Sequence, residues 1–159
     1  MVTLEPMSAQ EWERWRGTAV RAYAADKVRV GTWSAEDAEA RSERAFAELL
    51  PEGRDTGGHE LRSIVTEAGE TVGVLWFAGR TDEDEMGRRV AFIYDIEVHD
   101  ASRGHGFGGA ALQALEPLAR SLGYTAIGLH VFGDNEIARN LYRTSGYLET
   151  DVMMRKPLD

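Results

Sequence analysis

Between Val90 and Leu122 the hydrophobic period of the chain changes, and it changes across a run of bare backbone. In "VAFIYDIEV" the residues Val90, Phe92, Tyr94, Ile96 and Val98 alternate with Ala91, Ile93, Asp95 and Glu97, the two-residue repeat of a strand. Both of its faces are partly apolar, which places it centrally in a sheet. After "HDASRGHGFGG", Ala111, Leu112, Leu115, Leu118, Ala119 and Leu122 recur at helical spacing, with Gly123 as the stop. A glycine-rich turn between a strand and a helix permits positive φ, and it lets anionic oxygens approach unhindered amides at the positive end of the helix. Pro117 lies inside this helical run and is expected to kink it by removing the bond to Gln113.

The rest of the chain divides in two. The first half reads as helical: Ser8 with Glu11 forms a capping box ahead of Trp12, Trp15, Ala19 and Tyr23, and Ser34 with Asp37 suggests a second box opening a run to Leu50. "PEGRDTGG" then breaks the pattern. "ELRSIVTEA" and "TVGVLWFAG" flank a Gly69-Glu70 turn and read as a hairpin. Beyond the glycines, "YTAIGLHVF" reads as a strand, "DNEIARNLYRTSG" as a short helix and "YLETDVMMRK" as a last strand.

Three ligand motifs compete for the glycines. A P-loop fails, because Ala110 and Ala111 stand where Lys and Ser/Thr belong. Gly104, Gly106 and Gly109 spell the dinucleotide fingerprint, but that motif expects its first glycine directly at the strand end, and "HDASR" separates Val98 from Gly104. The third reading is a resemblance. Arg103, Gly106 and Gly108 match the Arg/Gln-x-x-Gly-x-Gly/Ala pattern of motif A of the GNAT superfamily of acyl-CoA-dependent N-acetyltransferases. Downstream, Asn135, Ala138, Leu141, Tyr142, Gly146 and Tyr147 match that superfamily's second signature. The two ordered motifs favour this reading over the fingerprint, and Gly104 and Gly109 become the less informative pair.

The resemblance implies an α/β fold of the α+β type: a single GNAT-like domain over residues 1–159, with a mixed, mostly antiparallel sheet splayed between its fourth and fifth strands and helices on both faces. It implies acetyl-CoA as cosubstrate, no metal, and a primary amine as acceptor, attacked directly in a ternary complex. The amides of Arg103, Gly104, His105, Gly106, Phe107 and Gly108 would hold the pyrophosphate. The backbone of Ile96 and Val98 would pair with the pantetheine arm, Asn135 would contact it, and Tyr142 would protonate the leaving thiolate. Dimers are frequent among such enzymes, so a homodimer is an expectation. A non-catalytic acyl-CoA-binding sensor would use the same glycines.

The general base is less constrained. Many relatives carry an acid or His on the strand face occupied here by Phe92 and Tyr94; strict alternation puts Asp95 and Glu97 on the opposite face, and a bulge near the strand end would reverse them. Glu97 is the first candidate, with His130 and Tyr94 behind it and water-mediated deprotonation as the alternative. Trp12, Trp15, Tyr23, Trp33 and Trp76 are available to line an acceptor pocket, and the acidic run at 81–85 could attract a cation.

Charge and composition narrow the class further. The net charge of −9, from 27 acidic and 18 basic residues, opposes binding to nucleic-acid phosphates and anionic membranes. The absence of cysteine rules out a disulfide framework and a thiolate nucleophile. With no stretch of about 20 apolar residues for a membrane span, the expected location is the cytoplasm.

Overall fold

A computed structural model describes residues 1–80 and 87–158. The chain begins with a strand, β1 (Val2–Pro6), where the sequence suggested only helix. Val2 and Leu4 do alternate with Thr3 and Glu5, but five residues ending in proline give a weak signal, and Pro6 suits an edge strand. Helix α1 (Ala9–Arg29) follows. Ser8 caps it by accepting from the Glu11 amide (3.1 Å), while the Glu11 carboxylate turns to Arg14 and His99, so half of the expected box forms. Helix α2 (Ala38–Leu49) starts after Asp37, which makes no side-chain cap bond. The Asp37 carboxylate accepts instead from Ser34 and Arg41.

The expected hairpin forms as β2 (His59–Thr66) and β3 (Thr71–Gly79), and the long alternating run is β4 (Val90–Val98). Helix α3 (Phe107–Ser121) runs through Pro117 without ending there. Only Ala126–Leu129 of the next predicted strand pairs, as β5, before helix α4 (Glu136–Thr144). Both α3 and α4 close with a bond from the second residue past the cap back into the last turn: Tyr124 N–H to Ala119 O and Tyr147 N–H to Tyr142 O, 3.0 Å each. The last predicted strand, "YLETDVMMRK", is not formed in this chain. Residues 148–158 lie in extended or irregular backbone with no ladder partner among the described residues, and a lone strand has nothing to hold it.

The sheet order is β1-β2-β3-β4-β5, antiparallel throughout except for the parallel β4–β5 pair. This is an α+β sheet with helices on both faces, and it opens between its fourth and fifth strands as expected. One face carries Ile64, Leu75, Phe77, Ala91 and Ile93 beneath Ala111, Leu112 and Leu115 of α3. The other carries Leu61, Val74 and Trp76 against Trp15, Ala19 and Val20 of α1 and Phe46 of α2. Trp15 and Trp76 are 0 and 2 % exposed, so both belong to this core and neither lines an acceptor pocket.

Candidate active site

One extra residue in β4 sets the geometry of the site. Trp76 pairs with Asp95 and the next residue of β3, Phe77, pairs with Ile93, which leaves Tyr94 as a bulge. Before the bulge, Ala91 and Ile93 face α3; beyond it, that face passes to Ile96. Tyr94, Asp95 and Glu97 therefore share the face that lies under α1, the parity reversal that strict alternation excluded. Pairing of β4 with β5 also stops at Ile93 opposite Leu129, so residues 94–98 meet no strand on that side among the described residues. The gap between the two strands begins at the bulge.

Helix α1 is fastened along the α1-facing edge of this region. The Trp15 indole N–H donates to Asp95 Oδ2 (2.8 Å), Arg14 Nη1 donates to Glu97 Oε1 (3.1 Å), and His99 Nε2 lies 2.9 Å from Glu11 Oε1. Arg14 and His99 together hold the Glu11 carboxylate below its ordinary range, against the opposing effect of burial. Glu97, the first candidate for the base, is thus ion-paired. Asp95 keeps a little solvent contact as a residue, but its carboxylate is packed inside. Burial, with the nearby charges of Glu97 and Asp26, pushes it up to about 6, against the Trp15 bond and the Ile96 amide.

Across the gap stands the glycine turn. Gly104 and Gly106 adopt φ of +79° and +78°, a region that side chains disfavour, and nothing lies within 4 Å of where a Cβ would sit on either. Gly104 is therefore as necessary to the turn as Gly106, contrary to its ranking from the motif alone. Gly106 is the N-cap of α3 and offers no side-chain acceptor, so the first-turn amides of that helix receive no cap. Gly108 packs closely on α4, where a Cβ would stand 3.1 Å from Leu141 Cδ2 and require that side chain to give by a few tenths of an ångström. A bare helix start, two left-handed glycines and exposed basic Arg103 fit a diphosphate. Arg103 Nε donates to Val98 O (3.2 Å), so the carbonyl expected to meet pantetheine already has a partner. His105 Nδ1 lies 3.2 Å from Ser102 O, and its ring stacks on Phe107.

Tyr142 sits on α4, half-buried among the residues packed on α3, with its ring 5.8 Å from that of Tyr147. Burial, followed by the charge of Asp95, raises its hydroxyl to about 12. Asn135 caps α4 by accepting from the Ala138 amide (3.1 Å). Tyr94 stacks on Trp76 with ring centroids 4.7 Å apart, and His130 meets Phe92 edge-on at 5.3 Å across the two strands. Tyr23 and Trp33 pack edge-to-face beside Lys27. The acidic run at 81–85 lies outside the described residues. Two features escaped the sequence reading: the enclosure of Asp95 by Trp15, and the link from Arg29 at the end of α1 to Asp134 before α4. Such long-range pairs leave no periodic trace.

The chain matches the Acetyltransferase (GNAT) family over residues 12–147. It is 40% identical over 157 residues, 99% of each chain, to the uncharacterized N-acetyltransferase YycN of Bacillus subtilis. It is 38% identical over 156 residues, 98% of each, to the uncharacterized N-acetyltransferase YdgE of the same organism. A crystal structure of YycN superposes with a TM-score of 0.90 at 39% identity, covering 99% of each chain.

Proposed function

Because the chain belongs to the GNAT acetyltransferase family and is an acyltransferase, we propose that it moves the acetyl group of acetyl-CoA to a primary amine by direct attack in a ternary complex. The observation that carries this reading is the coincidence of two openings: the uncapped start of α3 and the end of β4–β5 pairing at Ile93. Acetyl-CoA, when bound, supplies an activated thioester. The amides from Gly104 to Gly108 bind its diphosphate, the expected Arg103 amide being taken by the Asp100 carbonyl (3.3 Å), and the free side of Ile96 in the gap orients its arm. Asn135 fixes the start of α4 and with it the position of Tyr142.

The carboxylates under α1 take the proton that an ammonium must lose before its nitrogen can attack. Glu97 lies two residues further along the strand in its ion pair with Arg14, and Asp95, raised to about 6, accepts the proton near neutral pH. As the new C–N bond forms and the C–S bond breaks, the Tyr142 hydroxyl gives its proton to the departing sulfur, and the proton shed by the acylated nitrogen restores the hydroxyl, leaving an amide, a free thiol and the first proton on Asp95. A hydroxyl at about 12 is fully protonated at neutral pH and fit for that role.

Tyr142→Phe is expected to lower turnover by roughly a hundredfold while acetyl-CoA binding, measured calorimetrically, stays within twofold. Unchanged turnover would remove Tyr142 from the mechanism. Release of free thiol in the presence of a panel of amines tests the activity itself; tight CoA binding with silence on every amine would favour a sensor.

A further inference from the structure

Trp15 is the bulkiest of the fully buried side chains, and its ring carries a polar atom into the core. A buried indole N–H needs an acceptor, and this one meets Asp95 Oδ2 at 2.8 Å. Three rings fix its plane: Trp12 at 5.6 Å, Phe46 at 6.0 Å and Trp76 edge-on at 5.6 Å. Trp76 is also the β3 residue that pairs with Asp95 beside the bulge. One residue of β3 therefore holds the donor through its ring and the acceptor through its backbone.

Packing alone asks for an aromatic ring at position 15 and not for a donor. An arginine in this place would fix the Asp95 carboxylate in its ionised form, and an apolar ring would leave it neutral; a neutral N–H lets it cycle between the two. The indole donates and cannot accept, so it bonds the ionised carboxylate more strongly than the acid. Burial and the charges of Glu97 on β4 and Asp26 on α1 act against it, and the Ile96 amide acts with it. Tyr142 of α4 feels the Asp95 charge in turn. Trp76 of β3 and Phe46 of α2 bring no charge, while Arg14 and Glu11 of α1 are engaged with each other, with Glu97 and with His99.

We propose that Trp15 is a positioning residue for acetyl transfer: its indole N–H holds the Asp95 carboxylate by Oδ2 and leaves Oδ1 to take the proton of the acceptor ammonium. The N–H bond of the ammonium breaks, its electron pair stays on nitrogen, and the proton forms an O–H bond at Oδ1. Trp15 touches neither substrate and acts through Asp95. The proposal rests on the reading of Asp95 as the base.

Trp15→Phe keeps a ring in the core and removes the donor. In a profile of kcat/KM against pH, the acid limb set by Asp95 is expected to move up by about one pH unit. Activity at pH 5 then falls about tenfold, and the loss narrows to less than about threefold at pH 9. A loss that is even at every pH, or a limb that stays where the wild type has it, overturns the proposal. Asp95→Asn tests the underlying reading separately: a limb that persists without the carboxylate ends that reading and the proposal with it. A limb that vanishes in Asp95→Asn but stays put in Trp15→Phe ends the proposal alone. Trp15→Phe added to Asp95→Asn should lower turnover by less than about twofold more, since no carboxylate is left to position. The wild type carries a second readout that needs no substitution in the core. Among the indole N–H resonances of its 4 tryptophans, that of Trp15 should titrate with the midpoint of the acid limb and become invariant in Asp95→Asn. A Trp15 resonance that pH leaves unmoved overturns the proposal.

Discussion

Helices α1 and α3 both start beside the C-terminal half of β4, and they start in opposite ways. The first amides of α1 meet the Ser8 hydroxyl, and its opening two turns are tied to β4 through Glu11, Arg14 and Trp15. The first amides of α3 follow a left-handed glycine and meet no side-chain cap. One helix start has spent its hydrogen-bonding capacity on the fold; the other carries no side-chain cap among the described residues. The contrast separates residues whose loss should be read in stability from those whose loss should be read in binding.

The largest effect is expected at the bare start. Gly106→Val forces a β-branched side chain into φ of +78° and so disturbs the turn that presents the first amides of α3. Acetyl-CoA affinity by calorimetry should fall by at least tenfold, with the folded state retained by circular dichroism. Retained affinity would break the contrast by showing that α3 does not hold the cosubstrate.

Next comes the seam under α1. Asp95 has its folded pKa raised to about 6, so its neutral form favours the folded state, and that contribution fades as pH rises from the ordinary carboxylate range through 6. Asp95→Asn keeps an acceptor for the Trp15 indole and removes the charge. It should match the wild type in denaturant unfolding at pH 4 and exceed it by about 2 kcal/mol at pH 8, while losing turnover at neutral pH. A stability difference independent of pH would show that the carboxylate is not enclosed as described.

Ser8→Ala removes the cap of α1 and should destabilise the fold by about 1 kcal/mol with no change in acetyl-CoA affinity. Asn135→Ala sharpens the boundary, because this cap lies at the start of the helix that carries Tyr142. It should lower stability by somewhat under 1 kcal/mol and turnover by a few-fold. A loss of affinity as large as that of Gly106→Val would move Asn135 to the binding side.

The parts of this arrangement that were legible in sequence are those written in local pattern. The β2–β3 hairpin, the β4 alternation and the glycine stops of α3 and α4 each occupy a short window with a single reading. β1 was too short to announce itself. The Ser34–Asp37 pairing resembled a cap, yet Ser34 bonds the Asp37 side chain and not a helix amide. The final strand was legible as a pattern, but it finds no ladder partner among the described residues. In the site, the glycine turn could be read because anion binding uses backbone, whose demands on sequence are simple. The face of Asp95 and Glu97 could not, since it depends on a bulge, and nothing in the residues around Tyr94 marks it as the extra one.

That bulge gives β4 an arithmetic of its own. Removing Tyr94 would leave Asp95 and Glu97 facing α1 and Ile93 and Ile96 facing α3, because the strand beyond the bulge would simply resume the alternation it already follows. What would change is the bend that parts β4 from β5, so that the two strands could run on together past Leu129 and close the gap. A single codon thus separates a sheet that parts between its last two strands from one that would run on closed, with Asp95 and Glu97 still in place.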